Sequence, residues 1–218
     1  MKNNLTELVF ILDRSGSMSG LVNDTIGGFN SMIEKQKKED GEAYVTTVLF
    51  DHNYELLHDH VDIKDVKEIT NKDYYAQGLT ALLDAIGRTI NSIGKRLSDT
   101  PEEERPEKVI FVIATDGEEN SSVEFTKTNV REMIEHQQNK YSWQFIFLGA
   151  NMDAVAEASS LGISSSHSHT YTANNVGTAS IYNAMSDTLA CLRSMSTDTF
   201  ACADCVDGVV AASLSSVE

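Results

Sequence analysis

The chain has 218 residues, of which 41% are hydrophobic and 23% are charged, as is typical of a folded globular protein. Its formal net charge of −16 would repel nucleic-acid phosphates and anionic lipids, so neither nucleic acid nor a membrane is an expected partner. Its three cysteines make no even disulfide framework, and we find neither a signal peptide nor an apolar run of the roughly 20 residues that span a membrane. We therefore expect one cytoplasmic domain, and the sequence leaves its oligomeric state open.

Short apolar runs predict the strands. Four runs rich in β-branched and aromatic residues are typical of buried parallel strands, and a fifth run is weaker. They cover residues 8–12, 44–50, 109–114 and 143–148, with the weaker one at 170–172. The turn residues Asp51-His52-Asn53 predict a hairpin that leads into an antiparallel edge strand at 54–57.

Apolar residues spaced by three and four predict amphipathic helices between these strands. The spacing is clearest from Leu83 to Leu97 and recurs at 22–33, 130–134 and 181–195, with a short extra helix at 152–160. Because strands and helices alternate, the sequence predicts an α/β fold with a doubly wound, mainly parallel sheet, one antiparallel edge strand, and helices on both faces.

Two further features of the sequence concern the packing of the first helix and the extent of the domain. Gly27 and Gly28 lie inside the first predicted helix, where each lowers helix stability by about 1 kcal/mol relative to alanine, and they suggest close packing of that helix on the sheet. We expect one domain over residues 1–198. The segment 199–218 lacks clear periodicity and is expected to be a partly disordered tail.

Oxygen-bearing side chains follow the predicted strands. Asp13, Ser15 and Ser17 follow the first strand, Asp116 follows the strand at 109–114, and Thr80 precedes the strongest helix. Open α/β sheets bind ligands at the carboxyl ends of their strands, so these loops should meet at one rim. Oxygen ligands with few carboxylates suit Mg²⁺ or Mn²⁺ and leave a coordination position for an anionic oxygen from elsewhere. We therefore predict that these five residues hold one divalent metal ion.

Three segments carry a resemblance to a known family. They are Asp13-Arg14-Ser15-Gly16-Ser17, Gly78-Leu79-Thr80 and Ala114-Thr115-Asp116-Gly117, each in the loop where it is expected. Together they resemble the metal-ion-dependent adhesion site (MIDAS) of von Willebrand factor type A (vWA) domains, and by order of elements the resemblance covers roughly residues 5–195. It implies a non-enzymatic, intracellular bacterial or phage-like module. A bound Mg²⁺ or Mn²⁺ would accept an aspartate or glutamate carboxylate from a partner protein.

Each of these signals has a simpler explanation when it is taken alone. An Asp-x-Ser-x-Ser pattern occurs by chance in turns, Thr80 could be a helix N-cap, and Asp116-Gly117 could be a turn. The main rival function is a Mg²⁺-dependent phosphatase-like hydrolase with Asp13 as nucleophile. Such enzymes usually have an acid/base aspartate two residues later, where this chain has Ser15, and a suitably placed lysine, which we do not find. A structural subunit with a vestigial metal site is a third possibility.

Several other polar residues favour structural explanations. Arg14 could steer an acidic partner or simply face solvent. The segment 118–120 is interpreted as a solvated acidic turn, and the segment 58–62, which contains His58 and His60, as an exposed loop.

The same applies near the C-terminus. His167 and His169 lie in a serine-rich stretch that is also interpreted as an exposed loop. Cys202 and Cys205 have CxxC spacing, but no second CxxC and no strand–helix context accompany them, so no redox or zinc role is expected.

Overall fold

Strands and helices alternate along the chain in the computed structural model, which describes residues 1–214. The strands are β1 (Lys2–Asp13), β2 (Glu42–Phe50), β3 (Tyr54–Asp62), β4 (Pro106–Thr115), β5 (Gln144–Ala150) and β6 (Ser168–Tyr171). The α-helices are α1 (Val22–Gln36), α2 (Leu82–Asp99), α3 (Lys127–Tyr141), α4 (Ala154–Ser160), α5 (Asn175–Ser194), α6 (Thr197–Phe200) and α7 (Ala203–Leu214). None of the helices in this described range combines the length and apolar character that crossing a bilayer requires.

The strands form one sheet in the order β3-β2-β1-β4-β5-β6. All neighbouring pairs are parallel except β2 and β3, which are antiparallel, so β3 is the predicted antiparallel edge strand. Alternate residues of β1 enter two separate apolar clusters: Phe10 packs with α1 and α5, and Ile11 packs with α2 and α3. The sheet is therefore covered by helices on both faces, and the predicted doubly wound fold is confirmed.

The central pair of strands determines where a ligand site can form. Strand β2, the next in the chain, pairs with one side of β1, and β4 pairs with its other side. In the β1–β4 pair, Leu12 lies opposite Ala114. The loops after β1 and β4 consequently leave the same edge of the sheet side by side. This is the topological switch point, where open α/β sheets bind ligands.

The edge strand is longer than the sequence predicts, and the exposed loop expected at 58–62 is instead the second half of β3. His60 Nδ1 lies 2.7 Å from a carboxylate oxygen of Glu7, a fully buried residue of β1. The guanidinium of Arg96, on α2, donates to the other Glu7 oxygen at 2.7 Å. His60 and Arg96 therefore partner a buried carboxylate from two different elements, a long-range contact that strand periodicity does not reveal.

The C-terminal segment also differs from expectation, because α6 and α7 form within the tail that was predicted to be partly disordered. Val206 and Val210 of α7 are fully buried in the apolar cluster that contains α5. The prediction is therefore wrong for residues 199–214, while residues 215–218 lie outside the described part of the chain. Two buried valines among small residues are too weak a pattern to show a helix in the sequence.

His167 links the tail helix to the sheet. Its ring is buried, with Nδ1 3.2 Å from the Phe145 carbonyl oxygen of β5 and Nε2 2.8 Å from a carboxylate oxygen of Asp207 on α7. His169 belongs to strand β6. The exposed loop that the sequence suggests around these two histidines is therefore wrong, because the turn that carries His167 packs against α7 and His169 lies in a strand of the sheet.

Of the two adjacent glycines in α1, one makes a close contact, and its neighbour there belongs to another helix. A Cβ atom at Gly28 would lie 2.4 Å from Cδ2 of Tyr182, a buried residue of α5, whereas a Cβ atom at Gly27 would meet nothing within 4 Å. The close approach at Gly28 therefore serves the packing of α1 against α5, whereas the sequence suggested that the glycine pair serves the packing of α1 on the sheet.

We predict opposite effects of alanine at these adjacent positions. Gly28→Ala should lower the free energy of unfolding by up to about 2 kcal/mol, because displacing Tyr182 costs about 1–3 kcal/mol and alanine's helix propensity returns about 1 kcal/mol. Gly27→Ala, the matched control, should raise it by about 1 kcal/mol. Urea denaturation followed by circular dichroism measures both. Equal stability of the two variants would contradict the α1–α5 contact.

Candidate metal site

The first loop of the site is organised around the carboxylate of Asp13, the last residue of β1. Asp13 is fully buried, and its two carboxylate oxygens accept hydrogen bonds from the Ser15 backbone N–H and the Thr115 hydroxyl, both at 2.6 Å. The Ser15 and Ser17 hydroxyl oxygens lie 3.0 Å apart. The Asp-x-Ser-x-Ser segment therefore folds back on itself, so that its side-chain oxygens lie close together.

The other two loops join this cluster at Gly117. The Ser17 hydroxyl donates to a carboxylate oxygen of Asp116 at 2.5 Å. A Cβ atom at Gly117 would lie 3.1 Å from Thr80 Oγ1, 3.3 Å from Ser17 Oγ and 3.8 Å from Ser15 Oγ. The structure therefore brings all five predicted residues together, and glycine at position 117 leaves open the space that their hydroxyls surround.

The two carboxylates in this cluster carry charge that no nearby cation neutralises. Burial raises the pKa of Asp13 to about 6, against the lowering effect of its hydrogen bonds, and burial also raises the pKa of Asp116. Neither forms an ion pair with any lysine, arginine or histidine in residues 1–214. Two carboxylates and three hydroxyls without a counter-ion are a donor set that fits a hard divalent cation.

Arg14 lies between two of these residues but points away from them. Its side chain is buried, and it donates to Asp51 at 3.1 Å and to Glu55 at 2.6 Å. Both expectations for Arg14, facing solvent or steering a partner, are therefore wrong, because it fastens the first loop to the β2–β3 hairpin. Hydrogen bonds from Asn53 and Gln77, together with Arg14, outweigh burial and lower the pKa of the Asp51 carboxyl.

The loop that carries Thr80 lies against the first loop. The Gln77 N–H donates to the Arg14 carbonyl oxygen at 2.8 Å, and the Gly16 N–H donates to the Gly78 carbonyl oxygen at 3.1 Å. The hydroxyl of Tyr74, a fully buried residue, donates to the backbone carbonyl oxygen of Asp13. Gly78 has a φ of +69°, a conformation that favours glycine. Backbone contacts therefore fix the distance between these two loops.

Thr80 does not cap a helix. Helix α2 begins at Leu82, its N-cap is Ala81, and no side-chain capping bond is present there. The Thr80 N–H donates instead to Asn120 Oδ1 at 2.9 Å, and its carbonyl oxygen accepts from the N–H groups of Asn120 and Ser121. The simpler explanation of Thr80 as an N-cap is therefore wrong, and the backbone of the third loop holds this residue.

Residues 118–120 are only partly the solvated turn that the sequence suggests. Glu118 is exposed, but the Glu119 carboxylate accepts from the Leu83 N–H at the start of α2 at 2.9 Å. Asp84, which the sequence analysis does not identify, accepts from the backbone N–H groups of three consecutive residues, 123–125. The sequence feature that marks this residue is a carboxylate in the first turn of an apolar helix. Both acids tie the third loop to α2.

The fold and this cluster define a class of protein: a doubly wound α/β domain with a cluster of oxygen-bearing side chains at its topological switch point. The family model of the von Willebrand factor type A domain matches residues 7–184. The chain therefore belongs to the vWA domain family. None of the curated proteins compared with the chain matches it.

Solved structures share the fold at low identity. Mussel byssus proximal thread matrix protein 1, with a zinc-occupied MIDAS motif, has a TM-score of 0.59 and 16% identity over 85% of this chain and 46% of its own. The vWF domain of the Porphyromonas gingivalis pilus tip protein Mfa5 has a TM-score of 0.62 and 12% identity, over 88% and 97%. Manganese-loaded Plasmodium vivax TRAP has a TM-score of 0.52 and 18% identity, over 68% and 58%. The chain spans less than half the length of the mussel protein.

Buried Asp13 should make the metal-free protein less stable as the pH rises. Its pKa is about 6 in the folded chain and near the ordinary aspartate value of 3.8 when unfolded, so between these pH values the unfolded state releases the proton first. The gap corresponds to about 3 kcal/mol. Urea unfolding in EDTA from pH 4 to pH 7.5 should show this loss in wild type relative to Asp13→Asn. Parallel pH profiles for the two proteins would contradict it.

Proposed function

We propose that the protein is a metal-dependent protein-binding module. One Mg²⁺ or Mn²⁺ would be held, directly or through water, by Asp13, Ser15, Ser17, Thr80 and Asp116. The observation that carries the proposal is the meeting of two uncompensated carboxylates with three hydroxyls around Gly117. With only two carboxylates facing it, an ion there would retain positive charge and would favour an acidic side chain of the partner as its last ligand.

The relatives support this choice of ligand. The mussel protein has a zinc-occupied MIDAS motif and the Plasmodium vivax protein is manganese-loaded, so divalent ions are found in proteins that share this fold. This chain has the Asp-x-Ser-x-Ser segment at the end of β1, Thr80 just before α2 and Asp116 directly after β4. Among the described residues, no group of three or more His, Cys, Asp or Glu side chains could hold a metal elsewhere.

Exposed apolar side chains around the cluster favour a protein over a small anion as the partner. Tyr75 and Leu79, in the loop that carries Thr80, are 43% and 57% exposed, and Val123, in the loop after β4, is 88% exposed. The Tyr75 ring is held in place by Arg14, whose Cζ lies 5.3 Å from the ring centroid. Apolar residues beside a charged centre are typical of protein interfaces.

The hydrolase alternative is less well supported. A nucleophilic Asp13 would need an accessible oxygen, but the side chain is fully buried and both of its oxygens accept hydrogen bonds. Ser15 stands where the acid/base aspartate would be needed. Lys108, the lysine of β4, donates to the Arg193 carbonyl oxygen, beyond the other end of that strand. These contacts favour a binding module, and the cytoplasmic location stays a prediction from the sequence.

We expect calorimetry to detect one Mn²⁺ per chain and expect Asp13→Ala to abolish binding, because the first loop loses its carboxylate. Asp99→Ala is the matched control, since Asp99 is exposed at the far end of α2 and its loss tests nonspecific attraction by the net charge of −16. It should bind Mn²⁺ as the wild type does. Unchanged Mn²⁺ affinity in Asp13→Ala would refute this site.

The contribution of the exposed apolar residues to partner binding can be tested separately from that of the metal. Immobilised protein is incubated with native extract containing Mg²⁺ or EDTA, and proteins retained only with Mg²⁺ are identified by mass spectrometry. Leu79→Ala should retain at least tenfold less of such a partner, because truncating a central apolar contact costs about 1–2 kcal/mol or more. Its Mn²⁺ affinity should be unchanged, whereas Asp13→Ala should lose both. Partners retained equally in EDTA would contradict metal-dependent binding.

A further inference from the structure

Cys202 and Cys205 lie in the first turn of α7, far from the metal cluster in sequence. The N–H groups of Cys205 and Val206 donate to the Cys202 carbonyl oxygen at 3.0 and 3.1 Å, so the two cysteines are one helical turn apart. Their Sγ atoms are 2.8 Å apart. The two sulfurs are therefore in direct contact, so that a disulfide bond between them needs only a small movement of the side chains.

The setting of the pair differs from what the sequence suggests. A CxxC segment without a preceding strand indicated no redox role, but the structure places it at the start of a 12-residue helix, the position of redox-active CxxC pairs. Cys205 is exposed and Cys202 is half-buried. A reagent can therefore reach Cys205, and Cys202 lies beside it to react next.

We propose that Cys202 and Cys205 are a reversible thiol–disulfide pair whose oxidant is a small-molecule disulfide of the glutathione class. The Cys205 thiolate attacks one sulfur of the oxidant, forming a mixed disulfide and releasing one small thiolate. The Cys202 thiolate then attacks the Cys205 sulfur, forming the protein disulfide and releasing the second small thiolate. The protein loses two protons and two electrons, and the small disulfide takes up the two electrons.

A metal is a poorer occupant of this place than a disulfide. Structural zinc sites use four ligands, and two sulfurs supply only half of such a set. Within residues 1–214, no group of three or more His, Cys, Asp or Glu side chains could hold a metal ion. A disulfide therefore fits the two adjacent sulfurs better than a metal ion does.

Closure of the pair would fix the part of α7 that docks on the domain. Val206, which follows Cys205 directly, is fully buried, and the Asp207 carboxylate lies 2.8 Å from His167 Nε2. A disulfide across the first turn removes unfolded conformations of that turn, so α7 should open less often in the oxidised protein. In a reducing cytoplasm the pair would be open at rest and would close on oxidation.

The full-length protein is incubated with oxidised glutathione, treated with N-ethylmaleimide, and measured by intact mass. Reduced protein should take three adducts and oxidised protein one, on Cys191. Cys191→Ser, the matched control, should go from two adducts to none. Cys202→Ser should form no internal disulfide and should keep glutathione on Cys205.

Three maleimide adducts on oxidised wild type would overturn the proposal. So would glutathione retained on Cys205 in the wild type, or a disulfide-linked dimer on a non-reducing gel. The effect on α7 has its own readout, since hydrogen exchange of the amides in 203–214 should slow on oxidation in wild type and stay unchanged in Cys202→Ser. Equal exchange in oxidised and reduced wild type would overturn the proposed stabilisation of α7.

Discussion

Burial of the Asp13 carboxylate at the end of the central strand is the constraint on which the rest of the site depends. A carboxylate removed from water without a cation resists ionisation, and burial accordingly raises the Asp13 pKa to about 6. The Thr115 hydroxyl and the Ser15 N–H stabilise the ionised form only in part. The protein therefore maintains an unfavourable charge at the point where two parallel strands end side by side, a common property of functional sites.

The surrounding acids contrast with Asp13 because each has its own partners. Asp51 is buried as completely as Asp13, yet it accepts from Arg14, Gln77 and Asn53, and its pKa is lowered. Asp84 accepts three backbone N–H groups, which outweigh its burial and lower its pKa as well. These acids hold the loops in place, whereas Asp13 and Asp116 form no ion pair with a described residue and burial raises the pKa of each.

Away from the metal cluster, toward the amino-terminal ends of the central strands β1 and β4, buried charged residues stabilise the arrangement of the elements. Glu7 is enclosed by Arg96 and His60, which join the central strand to α2 and to the edge strand. Lys108 donates to backbone carbonyl oxygens at the end of α5, including that of Arg193 at 2.6 Å. Breaking a buried pair by removing one partner leaves an uncompensated charge, so these contacts define the arrangement of the elements.

The sequence by itself determined the fold class and the candidate site. Apolar runs and helical spacing predicted the sheet and its helices, because burial on both faces of a parallel sheet imposes a local pattern. The strand-end rule selected Asp13, Ser15, Ser17, Thr80 and Asp116, and the structure brings them together. The inference of the fold succeeds because each strand or helix pattern needs only the residues of one element, whereas the metal-binding role of the five residues stays a prediction.

Only the tertiary structure decided how the neighbouring polar residues are used. Arg14 turns inward because Asp51 and Glu55, 37 and 41 residues away, come within hydrogen-bonding distance of it. The extension of β3 and the docking of α7 depend in the same way on partners that are distant in sequence. A buried ion pair or a docked helix leaves no periodic signal in the residues that form it, since the stabilising contact lies on another element and exists only after folding.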